Sequence, residues 1–104
     1  MTYRVVIESS ARVDIDAAYD WLQQRSPEAA IRWFNRLDAA IRSLATNPER
    51  CAAAPERVEF ERDIRQLVHS RRKGRYRILF VVSGDVVHVL HVRHGAQEHL
   101  RRAP

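Results

Sequence analysis

Cleaving a phosphodiester inside an RNA strand needs a base for the 2′-hydroxyl, cations for the pentacoordinate phosphorus and an acid for the leaving oxygen. This chain holds a candidate for each role: Glu56 or Glu59 as base, Arg65 and Arg77 as cations, His94 as acid. A second group is purely cationic. Arg71, Arg72 and Lys73 form a run, with Arg75 and Arg93 beside it in the pattern. Within 57–77 there are eight basic side chains against three acids, Glu59, Glu61 and Asp63, while Asp14, Asp16, Asp20, Glu28 and Asp38 sit in the first half. Such clustering fits an acidic or polyanionic partner, and equally a solvated face of a soluble basic protein.

Two other constellations carry less. His88, His91 and His94 have the look of metal ligands. On a strand, however, side chains alternate, so His88 and His94 point one way and His91 the other, and the three cannot converge. Satisfied strand histidines are the alternative, and neither a metal nor a cofactor is expected. Cys51 lies in an alanine-rich stretch with no base nearby and cannot form an internal bridge, which fits a reducing cytoplasm.

The element that must hold Arg77 and His94 is a hairpin. Residues 75–82 and 86–93 are almost continuously apolar or β-branched, and Ser83-Gly84-Asp85 supplies the turn between them. Alternation puts Tyr76, Ile78, Phe80 and Val82 on one side, toward helices. It puts Arg75, Arg77, Leu79 and Val81 on the other. Arg77 is then fixed in direction in mid-strand, suited either to phosphate or carboxylate recognition or to an internal salt bridge with Asp63 or Glu61.

The rest of the chain supports that hairpin. Residues 3–7 read as a strand. Ser9 and Ser10 offer caps to a helix over 11–24, whose Ile15, Ala18, Tyr19 and Leu22 share a face. Ser26-Pro27-Glu28 restarts the chain as cap, first helical position and first-turn acid. The second helix runs to about residue 45 with an apolar stripe of Ala30, Trp33, Phe34, Leu37, Ile41 and Leu44, and Asn47-Pro48 ends it. Residues 49–61 read as irregular, 63–68 as a further strand, and 97–101 as a short terminal helix. The order is β-α-α-β-β-β. The fold class is α+β, an antiparallel sheet packed against an N-terminal two-helix hairpin, in a single domain over 1–104. No apolar run of membrane-spanning length and no signal-peptide pattern is present in the sequence.

In this order and spacing several motifs resemble one family. They are A-x-x-D from Ala11, A-x-x-W-F-x-x-L from Ala30, A-I-x-x-L-x-x-x-P from Ala40, I-R-Q-L from Ile64, Y-R-I-L-F from Tyr76 and V-L-H-V-R-H-G-A from Val89. Together they resemble toxins of the RelE/ParE superfamily of bacterial type II toxin–antitoxin and plasmid-stabilization systems. The resemblance implies a growth inhibitor neutralised by an antitoxin from the adjacent gene. That antitoxin would wrap the toxin with an acidic segment that folds on binding, in a hetero-oligomer. It implies one of two targets. One branch cuts mRNA on the ribosome; Arg77 stands where its motifs place a basic residue and His94 matches the histidine that closes the last strand in some members, but Gly95 stands where those have tyrosine, and the lysines of another RNase subgroup are missing before the third strand. The other branch poisons DNA gyrase without a nuclease site, and the R-H-G-A ending is more similar to that one. The expected function is therefore a gyrase-directed toxin, with a ribosome-dependent endoribonuclease as the alternative. From another class, a non-toxic basic nucleic-acid-binding module would bind in a salt-sensitive way.

Overall fold

The computed structural model describes residues 2–69 and 76–94. The helical expectation for 97–101 and the basic residues Arg71, Arg72, Lys73 and Arg75 lie outside them. Strand β1 is Arg4–Ile7. It runs straight into α1, Ser9–Arg25, because the Glu8 amide is still bonded to the Val89 carbonyl at 2.9 Å. That continuity corrects the expected serine caps. Glu8 occupies the cap position without a side-chain bond, and the Ser10 hydroxyl instead donates to the Leu90 carbonyl at 2.6 Å.

The second helix, α2, is Pro27–Arg42 and starts as the sequence predicts, with Ser26 Oγ accepting from the Ala29 amide. Its stripe is buried at Ala30, Leu37 and Ile41, and Leu44 follows in a 3-10 turn. Phe34 is the exception at 43% exposed. It meets Tyr19 of α1 edge to face, along the seam of the helix pair rather than against the sheet.

The stretch expected to be irregular is partly ordered. It holds a two-residue strand β2, Ala52–Ala53, and a five-residue helix α3, Glu56–Phe60, closed by Glu61 at positive φ. Elements that short give no periodicity to read. Strands β3, Arg65–His69, β4, Tyr76–Ser83, and β5, Val86–His94, form the expected meander. The sheet order is β1-β5-β4-β3-β2. It is mixed: β1 lies parallel to β5, and the chain between them, the helix pair and then β2 to β4, is the long connection that parallel pairing needs.

The two faces carry separate cores. Ile78, Phe80, Val87, Val89 and Val92 pack with Ala11, Ile15, Leu37 and Ile41 on the helix side. Leu79 and Val81 pack with Ala54 and Ile64 on the other, with Phe60 and Leu90 against them. The alternation expected along β4 holds throughout. Along β5 it breaks. Leu79 pairs with His91 but Phe80 pairs with Val89, so Leu90 is an extra residue in a β-bulge. Before the bulge the odd-numbered residues face the helices; after it the even-numbered ones do.

Candidate functional site

The bulge decides where the predicted site residues go. His88 pairs across with Val81 and so sits on the face away from the helices. His94 pairs with Tyr76, whose ring it meets edge to face at 5.2 Å, and Tyr76 in turn meets the Trp33 ring of α2 at a tilt of 56°. His88 and His94 therefore occupy opposite faces, a correction to unbroken alternation. His91 lies with Leu79 on the far face, where its Nδ1 is 2.9 Å from Asp14 Oδ2. The same oxygen accepts from the Val92 amide at 3.0 Å, so α1 closes the edge of β5 just beyond the end of β1. Among the described residues no three His, Cys, Asp or Glu side chains come close enough to hold a metal.

Arg77 projects from the far face, as its strand position predicts, and is an internal ion-pair partner. The acid is Glu56 of α3, not Asp63 or Glu61. Both guanidinium nitrogens meet the carboxylate, at 3.0 and 2.6 Å, and Gln66 Oε1 accepts a further bond at 3.0 Å. The Glu56 side chain is 0% exposed and that of Arg77 11%. Sequence reading missed Gln66 as a partner, though it stands opposite Leu79, two rungs away from Arg77 and on the same face. Arg93 pairs directly across from Arg77. Two guanidiniums so placed repel, and the Glu56 carboxylate offsets that repulsion.

Arg65 belongs to the other face, across from Phe80. Its guanidinium donates to the carbonyls of Glu49 and Cys51 at 3.1 and 2.9 Å and lies 3.7 Å from Asp63. It staples the connection before β2. The set Glu56, Arg65, Arg77 and His94 is thus divided: Glu56 and Arg77 together on the far face, Arg65 and His94 apart from each other on the helix side. Burial pushes the Cys51 thiol up, against the pull of Arg50 and Arg65, which makes it a poor nucleophile.

His69 ends the row His69, Tyr76, His94 that crosses three strands. Burial first, and the Arg36 charge second, hold its pKa below the ordinary histidine value. The native state therefore resists a proton that the unfolded chain accepts near pH 6.5. This contribution to stability is present above that pH and lost as the pH falls through it. The urea midpoint is expected to drop between pH 7.5 and pH 5, and to drop less in His69→Gln. An equal drop in both proteins would overturn the assignment of this effect to His69.

On the far face, a recess of about 180 Å³ lies between α3, the start of α1 and the bulge. Its walls are mainly apolar, from Phe60, Ile64, Leu79 and Leu90, with Ser10, Glu56, Arg62 and His91 completing them. No helix among the described residues is long and apolar enough to cross a membrane.

Comparison with known proteins places these features in context. Residues 5–99 match the family model described as the ParE toxin of the type II toxin–antitoxin system parDE. The chain is 32% identical over 99 residues to Toxin RelE1 of Caulobacter vibrioides, covering 94% of this chain and 99% of that one. The fold is similar to a chain of the chromosomal ParDE system from P. aeruginosa. The TM-score is 0.73 at 21% identity, over 89% of this chain and 96% of the other.

Proposed function

Since the chain belongs to the ParE toxin family of type II toxin–antitoxin systems, we propose that it arrests growth by acting on DNA gyrase, without hydrolysing RNA. We also propose that an antitoxin encoded beside it neutralises it. The observation that supports the gyrase reading is the division of the nuclease set. Acid and cation must meet one phosphate for general acid catalysis. Here the His94 ring packs on Tyr76 on the helix side, while the Arg77 guanidinium is held by Glu56 on the far side. The ribosome-dependent endoribonuclease remains the competing reading, and it requires those groups to converge in the bound state.

Inducing the protein alone is expected to arrest growth, and co-inducing the adjacent reading frame to restore it. The purified protein is expected to trap gyrase on cleaved DNA and to leave ribosome-bound mRNA intact. Codon-phased mRNA cuts that vanish in His94→Ala would replace this reading with the endoribonuclease. Undisturbed growth at verified soluble expression would leave a non-toxic basic binding module, recognised by salt-sensitive binding to nucleic acid.

A further inference from the structure

We propose that the recess on the far face binds a small neutral molecule, a single aromatic ring carrying one O–H or N–H donor. Such a site is independent of the target on which the protein acts.

Size comes first. At about 180 Å³ the recess exceeds the roughly 150 Å³ apolar cavity that admits benzene, so it takes one ring with a small substituent. Its floor is preformed. Leu79 and Ile64 are 1% and 4% exposed within the far-face core, and Leu90 packs against the same cluster. Phe60 of α3 completes the apolar lining, on an element held to the sheet by the Glu56–Arg77 pair. An apolar lining with a few polar groups that set orientation is the usual make-up of a small-molecule site.

The polar groups select the substituent. Ser10 and His91 both line the recess. The Ser10 hydroxyl gives its proton to the Leu90 carbonyl, so its oxygen can only accept. Asp14 Oδ2 accepts from the Val92 amide and lies 2.9 Å from His91 Nδ1. A carboxylate only accepts, so the proton of the neutral imidazole sits on Nδ1. Nε2 is then the one ring nitrogen left for an occupant, and it is an acceptor. His91 makes no other hydrogen bond among the described residues. Two acceptors in an apolar recess give a ligand O–H or N–H a partner, and leave an ether oxygen without one.

Charge at the mouth selects a neutral ligand. Arg62 lines the recess but stands between exposed Glu61 and Asp63, with Glu59 exposed on α3. Glu56 is wholly buried and already meets Arg77. With the surrounding acids offsetting Arg62, an ionic ligand would lose hydration without gaining a partner.

The test is an NMR titration of the full-length protein at pH 8 with phenol, followed at the His91 imidazole nitrogens. Anisole is the probe that lacks the donor, and benzoate the probe that carries a charge. Phenol is expected to bind in the millimolar range or tighter, as fits so small a ligand, and to shift the Nε2 signal. It is expected to bind about fivefold more tightly than anisole, the value of one hydrogen bond, and more tightly still than benzoate. His91→Phe keeps a ring and removes Nε2, and is expected to bring phenol and anisole within about twofold of each other. Leu90→Trp fills the recess and is expected to abolish binding of both. Phenol is also expected to raise the melting temperature of the parent and not of Leu90→Trp, because a ligand stabilises the state that binds it. Phenol that leaves the His91 signals unmoved overturns the proposal. So does anisole or benzoate that binds as tightly as phenol, or a preference for phenol that persists in folded His91→Phe. Unchanged phenol binding in folded Leu90→Trp places the site elsewhere and overturns it too. His91→Phe keeps the proposal testable if Leu90→Trp does not fold.

Discussion

Arg77→Ala is expected to cost about 3–5 kcal/mol of folding stability, the usual consequence of leaving one member of a buried ion pair without its partner. For a domain of this size that lowers the melting temperature by on the order of 15–25 °C. The cause is the carboxylate left behind. Glu56 is 0% exposed, and its two oxygens are met by the two guanidinium nitrogens of Arg77. With alanine at 77 the charge remains in a wall made largely of Phe60, Ile64 and Leu79. Removing both charges together, as Glu56→Leu with Arg77→Met, is expected to restore most of the loss, because well-packed apolar pairs replace buried ion pairs at little cost. A double-mutant cycle read by urea unfolding measures the coupling. A single-variant cost below about 1 kcal/mol would class the pair with exposed ones and detach α3 from the sheet in solution. The doubly substituted protein has a second use. It is expected to fold without a guanidinium at position 77, so growth arrest by it would separate toxicity from any catalytic role of Arg77. Lost toxicity in Arg77→Ala cannot, since that variant is expected to unfold readily.

The hairpin and the helix pair were legible because each repeats a period long enough to read. Phe80 and Ile78 fall two apart and reach the helix core together, and Leu37, Ile41 and Leu44 trace one stripe of a helix and its final turn. The Ser26 cap followed from local chemistry that three residues fully specify. Three things were not legible. The acid that meets Arg77 lies 21 residues away on a helix of five residues, and Asp63 and Glu61 were nearer in sequence. Gln66 has no distinguishing neighbour, and only the register of β3 against β4 shows it sharing a face with Arg77. The Asp14–His91 contact spans 77 residues and joins a helix to a strand edge. The bulge is a different case, because its trace was present. Val87, Val89 and Val92 are the buried positions of β5, and their spacing of two and then three records an inserted residue. Nearly continuous apolar character concealed it, since Leu90 reads as one more buried strand residue and in fact lies on the opposite face.

That inserted residue sets the most damaging single change expected on β5. Unbroken alternation from His88 would place Val92 on the far face with it, where an acid would be tolerated. Beyond the bulge Val92 instead stands across from Ile78 at 5% exposure, inside the helix-side core with Val89 and Val87. Val92→Asp is therefore expected to cost about 4 kcal/mol or more, since an unpaired carboxylate is forced into apolar surroundings on a stem too short to reach water. Against a total stability of about 5–15 kcal/mol for domains of this kind, that removes much of the margin. The expected readout is loss of a cooperative urea transition, or a midpoint near zero denaturant, at pH 7.5. His91→Ala is the control on the adjacent residue. It gives up one bond to Asp14, whose same oxygen keeps the Val92 amide, and is expected to cost only about 1 kcal/mol. If Val92→Asp folds like the parent while His91→Ala collapses, β5 has no bulge. His94 then returns to the face of His88, and the separation of His94 from Arg77 that favours gyrase over the ribosome is gone.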